Sequence, residues 1–351
     1  MLVTADRVFG GHLYVRNGKI AAISDDGTLP AREELDAAGL YVLPGMLDCH
    51  AHINDPGFTW REDLPHASEA AAVGGVTTLI DMPLQNTPPL TSADAFANKL
   101  AVFEGRSLVD YALWGGLVTD NTAELAGMDA AGAAGIMWAL RYPQINPYMG
   151  IFPGFKAFIA PVSLGYSSVD MGLAREALFR IKAFGGLAGF HCEDHALICA
   201  GEAKAKAGGG TRRAFLDSRP VVAEVIATAN VIELARETGA RVHICHVSHP
   251  RVAELVRRAQ TDGLSVTGET CPHYLVFTEE NLLSCGTVFK CAPPLRTAEA
   301  RDGLWEYVLD GTLSCIGSDH SPSRPDEKDE AVHGVMGAWG GLSGLQSLVQ
   351  V

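Results

Sequence analysis

Five short stretches of this chain carry side chains that can hold a metal ion or move a proton. They are Asp48-Cys49-His50-Ala51-His52, Lys156 within GFKAFIA, His191 within GFHCED, His246 within HICHVS, and Asp319-His320 within IGSDHSP. Two histidines at i and i+2 on an extended strand point to the same side, and neutral imidazole is the commonest protein metal ligand. His50 and His52 therefore read as half of a chelate. For any one of the others alone, a hydrogen-bonded histidine or a helix-capping aspartate is explanation enough. Capping does not explain four separate apolar runs that each stop in a ligand-type residue.

Lys156 is the odd member. Flanked by Phe155, Ala157, Phe158 and Ile159, its ammonium would be costly to bury unless paired or neutralised. Two readings stand side by side. The aliphatic stem could snorkel and carry the charge to solvent at a rim. Alternatively, the neutral amine takes up carbon dioxide to form a carbamate, a carboxylate-like anion able to bridge two cations.

The elements that must position these residues alternate along the chain. The β-like runs are YVLPGMLDC, VTTLIDM, SLVDYALWGG, FKAFIA, GLAGFHC, RVHICHV, GLSVTGET and GTLSCIGSD. Helix-like stretches lie between them, among them HASEAAAV, TSADAFANKLAVF, MGLAREALFRIKAF, PVVAEVIATANVIELARET and PRVAELVRRAQ. Several runs are apolar at nearly every position, as strands buried on both faces are. Eight such runs, most followed by a helix, predict a (β/α)8 barrel with its chemistry at the strand C-termini. No Gly-rich dinucleotide fingerprint is present. Residues 1–43 differ: LYVRNGKIAAIS reads as a hairpin around Asn17-Gly18,. Pro44-Gly45 then separates this small β unit from a barrel over 44–351.

With 351 residues, 47% of them hydrophobic, the chain can bury one large core with a small satellite. A net charge of -14 argues against nucleic-acid and anionic-membrane partners. No apolar run is long enough for a membrane span, and the N-terminus lacks a signal-peptide pattern. The eight cysteines form no CxxC pair and read as reduced, structural thiols of a cytoplasmic protein.

The constellation resembles the binuclear cyclic amidohydrolases, a group that includes dihydroorotases, hydantoinases and allantoinases. Matching stretches run along the chain: PGMLDCHAHINDPG, AAAVGGVTTLIDMPLQNTPP, FKAFIAP, HCEDHALI, LDSRPVVAEVIAT, VHICHVS, ETCPHYL, FKCAPPLR, GSDHSP and WGGLSGLQS. The resemblance implies that His50, His52, Lys156 as its carbamate, His191, His246 and Asp319 hold two divalent ions. Zinc is the expected metal, and cobalt, manganese or iron would suit the same nitrogen and oxygen ligands. Such a pair lowers the pKa of a shared water and polarises the scissile carbonyl. Asp319 would be the catalytic residue, taking the water's proton and delivering it to the departing ring nitrogen.

Within the group, IDMPL followed by Gln-Asn, KCAPPLR and AWGGLSGLQS look most like allantoinases, which implies a small cyclic ureide as substrate. Dihydroorotases resembling this chain carry an arginine where Asn54 stands, and asparagine cannot form that charged bidentate pair with a carboxylate. Hydantoinases carry a tyrosine where Pro161 stands. Arg61 or Arg296 could still serve an anion, so hydantoinase, dihydropyrimidinase and dihydroorotase activities are the alternatives. A non-catalytic scaffold of the same fold is a further one, disfavoured because all six ligand positions are filled. By the same resemblance, Asn54 and the backbone of the Cys291-Ala292-Pro293-Pro294 loop, at Ala292, are expected to contact the ring.

Two departures from relatives generate expectations of their own. Residues 136–153 are extra and, preceding a strand, are expected at the barrel's N-terminal face. Relatives continue beyond the position of Val351, so the C-terminal half of the small β domain is expected to be missing from this chain, and the full-length parent is expected to be a homotetramer.

Overall fold

The computed structural model describes residues 1–4, 6–133, 154–160 and 166–350. The segment 136–153 and Pro161 lie outside the described residues. The chain divides into two compact units, Met1–Met46 and Leu47–Val351.

In the first unit, β1 (Leu2–Val3) pairs antiparallel with β2 (Val8–Phe9), and β3 (His12–Arg16) with β4 (Lys19–Ser24). The second pair is the hairpin that Asn17-Gly18 predicts. Both turn residues have positive φ, 53° at Asn17 and 71° at Gly18, the geometry whose twist matches that of the flanking strands. Val42 extends β1, donating its N–H to Met1 O at 2.8 Å and accepting from Val3 N at 2.9 Å. Leu13, Val15, Ile20 and Ile23 of the hairpin are exposed.

The second unit contains β5 (Met46–Ala51), β6 (Val76–Asp81), β7 (Asp110–Leu113), β8 (Gly115–Gly116), β9 (Gly154–Phe158), β10 (Leu187–His191), β11 (Arg241–Ile244), β12 (Val266–Thr270) and β13 (Cys315–Ile316). They form two runs of neighbours, β5-β6-β7 and β8 through β13 in chain order, with parallel pairing. Trp114 separates β7 from β8, yet its N–H still donates to Asp81 O at 2.8 Å. The two segments therefore fill one barrel position. The ring closes where His52 N–H donates to His320 O at 2.8 Å and Ala51 bridges His320 in parallel. The architecture is a (β/α)8 barrel, with one of its eight strands broken.

Helices Leu64–Val73, Ala93–Phe103, Met171–Ala183, Val221–Thr238 and Pro250–Thr261 occupy the predicted stretches. Asp63, Ser92 and Asp170 cap three of them by accepting a first-turn N–H, which satisfies groups a helix start otherwise leaves unpaired. Two further helices, His195–Ala207 and Arg212–Ser218, intervene after β10. Within the barrel, Ile80, Met82, Trp114, Phe158 and Tyr166 pack together, and Tyr166 donates its hydroxyl to Lys156 O at 2.6 Å. No described helix is long and apolar enough to cross a membrane.

All eight cysteines are free. Cys199 and Cys285 are exposed, and the other six are buried or partly buried. The two exposed residues sit on helices outside the barrel, at His195–Ala207 and Glu279–Cys285.

A buried ion pair ties β5 to β6. Asp81 ends β6 and pairs with Lys99, both side chains being almost wholly buried. Asp81 also accepts from Ile53 N at 2.6 Å, while Lys99 donates to Ile53 O at 3.2 Å and to Asn86 Oδ1. Burial pushes the Asp81 carboxyl up, offset in part by Lys99, to about 6. Lys99→Met would leave that carboxylate buried without its counter-charge. The expected loss is about 3–5 kcal/mol of stability, read by urea denaturation; a loss below ~1 kcal/mol would show that the pair does not tie the strands.

Candidate metal centre

The sequence-predicted ligands meet at the end of the barrel where strands run into their following loops. His50 lies on β5, Lys156 on β9, and His191 ends β10. His52, His246 and Asp319 lie just past β5, β11 and β13. His50 Nε2 and His52 Nε2 approach the same oxygen, Asp319 Oδ1, at 3.2 and 3.1 Å. Ligand atoms of these three residues all fall within 4.8 Å of one another. The His246 ring stands 4.5 Å from that of His191 and 5.5 Å from that of His50, centroid to centroid. Lys156 is close enough to bear electrostatically on all four histidines. The six residues form one cluster.

Carboxylates that sequence reasoning missed hold these rings. Glu269, on β12, accepts from His50 Nδ1 and leaves Nε2 turned toward Asp319. Glu193 accepts from His191 Nε2 at 2.7 Å, which leaves Nδ1 as the other ring nitrogen. Burial opposes the charge on Glu193, but Arg219, 2.6 Å away, and His191 bring its pKa down to about 2. His320 is tied differently, with Nε2 at 2.7 Å from Glu62 and Nδ1 accepting from Gly344 N at 3.1 Å. His320 thus braces the loop beside Asp319 instead of joining the cluster. The signal for Glu269 was present in VTGET, an acidic residue near the end of an otherwise strand-like run. His273, four residues later, was also missed. Its ligand atom lies within 4.8 Å of those of Asp319 and Cys271, and burial lowers its pKa to about 4.

The donor set fits divalent ions. Nitrogen and oxygen ligands gathered at about 3 Å from one another are what a metal of this class takes. Lys156 supplies an independent observation: its side chain is fully buried and Nζ has no hydrogen-bond partner among the described residues. The Phe158 ring centroid lies 5.2 Å from Nζ. The snorkelling alternative is therefore excluded, because Nζ does not reach solvent. An ammonium buried in this way is costly unless it is paired or neutralised. His52 Nδ1 and His246 Nδ1 are likewise buried without hydrogen-bond partners among the described residues.

Around the cluster, Asn54 is fully buried; its amide nitrogen donates to His52 O at 3.4 Å and its Oδ1 has no partner among the described residues. Gln85, in the loop after β6, donates to Ser321 Oγ at 3.3 Å and also keeps an unpartnered oxygen, Oε1. Ala292 is half-buried between buried Cys291 and Pro293, and Pro293 O accepts from Tyr274 Oη at 2.6 Å. The two arginines available for an anion are each paired with a carboxylate, although Arg61 Nη1 is buried without a hydrogen-bond partner among the described residues. Arg61 meets Glu327 through Nε at 2.9 Å and through Nη2, with its plane 3.9 Å from the Trp339 ring centroid. Arg296 meets Glu224 at 2.6 Å, Ser248 Oγ at 2.9 Å and Arg219 O at 2.7 Å.

No protein-family profile matches the chain. Curated relatives do. An allantoinase of Solibacter usitatus is 38% identical over 327 residues, covering 92% of this chain and 67% of the relative. One of Deinococcus radiodurans is 35% identical over 328 residues, covering 93% and 69%. The chain thus spans about two thirds of the length of these relatives. Among solved structures, the L-hydantoinase (dihydropyrimidinase) of Arthrobacter aurescens superposes with a TM-score of 0.89 at 35% identity, covering 99% of this chain and 73% of that one. Sequence, fold and the clustered ligand residues agree, and the chain belongs to the cyclic amidohydrolase family of allantoinases and hydantoinases.

Proposed function

We propose that this chain opens the ring of allantoin by hydrolysis, giving allantoate, with His50, His52, Lys156 as its carbamate, His191, His246 and Asp319 holding two zinc ions. Such ions, when bound, acidify a water and polarise the amide carbonyl. Asp319 accepts the proton of the attacking water and returns it to the ring nitrogen, which leaves only once protonated. His50 Nε2 and His52 Nε2 converge on Asp319 Oδ1, so that all three atoms would face one ion. Lys156, as carbamate, places an anion in a pocket that otherwise offers it no partner.

The observation that carries the choice of substrate is the state of the polar groups around the cluster. Both candidate arginines are neutralised by buried or half-buried carboxylates, which disfavours a substrate bearing its own carboxylate, such as dihydroorotate. Asn54 Oδ1 and Gln85 Oε1 are buried acceptors without protein donors among the described residues. A ureido group is rich in N–H donors and suits both. The Ala292 backbone is assigned to the same ring. Homotetrameric assembly and a cytoplasmic setting belong to this reading through the family resemblance.

Rates on allantoin, simple hydantoins and dihydroorotate, measured on one preparation, test the assignment: allantoin is expected to be fastest, and faster turnover of dihydroorotate overturns it. Asn54→Arg should depress kcat/KM for allantoin by about tenfold or more, through charge and bulk beside His52. Unchanged kinetics would remove Asn54 from the substrate site. Lys156→Ala should lose bound metal and reduce activity by more than the ~10–100-fold typical of outer-shell changes, with partial recovery in added acetate or propionate. Near-wild-type turnover and metal content in Lys156→Ala would rule out the carbamate.

A further inference from the structure

Glu269 makes more contacts with the cluster than any one role in the reaction requires. Its Oε1 accepts from His50 Nδ1 and from His246 N–H, the latter at 3.2 Å. Its Oε2 accepts from Cys49 Sγ at 3.0 Å and lies 3.3 Å from His243 Nε2. The residue is 1% exposed. An ionised carboxylate is acceptor-only and offers about four lone-pair directions, so the donors from β5, β11 and the turn after β11 use its whole capacity. The peptide of Glu269 adds a further tie, its carbonyl accepting from Val247 N–H at 2.7 Å.

We propose that Glu269 is the positioning residue of the metal centre: it fixes the His50 ring with Nε2 toward the ion while anchoring the backbone of His246. The proposal rests on the metal-centre reading above. A neutral imidazole that donates from Nδ1 presents its lone pair at Nε2, and Nε2 of His50 is the atom facing Asp319. His246 needs an anchor because its φ is +39°, a left-handed conformation that a non-glycine residue keeps only when its surroundings hold it. Space for the carboxylate is reserved by Gly317. A Cβ there would stand 2.8 Å from His50 Cβ and 3.2 Å from Glu269 Oε2.

The test compares wild type with Glu269→Gln and Glu269→Asp by competition with a chromophoric chelator for zinc, at a temperature where circular dichroism shows each protein folded. Glutamine keeps the size but cannot accept at both ends; aspartate keeps the charge but withdraws it by one methylene. The expected result is a fall in zinc affinity of about 10–100-fold for Gln, smaller for Asp, with activity regained at correspondingly higher zinc. A merely structural role would lower the melting temperature and leave the zinc affinity of the folded variant unchanged, and that result overturns the proposal. Should neither variant fold, ¹⁵N-histidine spectra of zinc-loaded wild type decide. A protonated Nδ1 and a zinc-shifted Nε2 on His50 support the inference, and the reverse assignment defeats it. Wild type that binds no zinc at all defeats the metal-centre reading itself, an outcome distinct from equal binding by wild type and variant.

Discussion

Where β13 closes against β5, the fully buried Asp48 carboxylate accepts from His50 N–H at 3.1 Å, Ser318 N–H at 2.9 Å and the Ser318 hydroxyl. Burial pushes this carboxyl up, and the hydrogen bonds from Ser318 and His50 work against that rise. Ser318 Oγ in turn accepts from His320 N–H at 3.0 Å, and His320 O accepts from His52 N–H. The seam thus sets the register of the first strand against the last. Strand side chains alternate faces, so a slip of one residue would turn His50 and His52 away from Asp319. The histidine pair and the aspartate come from opposite ends of the chain, and this closure is what makes them neighbours.

Most buried cations elsewhere in the barrel have a carboxylate partner, and Lys290, also buried, donates instead to Met336 O at 3.0 Å and Ala338 O at 2.5 Å. Lys99 has Asp81, Arg219 has Glu193 and Glu202, Arg296 has Glu224, and His320 has Glu62. Each of these four is matched by a carboxylate within ion-pair distance, as a low-dielectric interior requires. Lys156 is as deeply buried as Lys99 and has no such partner among the described residues. Its surroundings are histidines and the Phe158 ring. Among the described residues, Lys156 thus differs from these cations in having neither a carboxylate nor a carbonyl to receive its Nζ.

The strands and the residues that cluster at their ends were legible because both signals are local. An apolar run that stops at a histidine or aspartate is visible within ten residues, and the helices between are marked by their own periodicity and caps. Which histidine each carboxylate holds was not legible, for a physical reason. Glu269 meets His50 across 219 positions of sequence, and nothing near Glu269 says which strand it faces. Arg61 and Arg296 were read as possible anion holders because a sequence shows a charge but not its partner. Glu327 neutralises Arg61 from 266 positions away. Glu193 was the exception in principle, since it lies two residues from His191 and the HCED stretch displayed it. The break at Trp114 was hidden by the apolar run around it, which spans both β7 and β8.

Backbone strain shows what the framework is arranged to hold. Among the described residues, the non-glycine positions with positive φ are Asn17, Gln85, His246 and Asp319. Asn17 is accounted for by its turn. The other three lie at the mouth of the barrel, and each has its own restraint: Gln85 on Ser321, His246 on Glu269, and Asp319 between His50 and His52. Such conformations cost of order 1–3 kcal/mol each and persist only where neighbours over-determine them. Here the neighbours are the closure seam and the Glu269 carboxylate, both satisfied by protein groups alone. The ordering of the clustered side chains therefore comes from folding itself. That pre-organisation is how a loop-borne site on a barrel rim gains tight binding from few contacts.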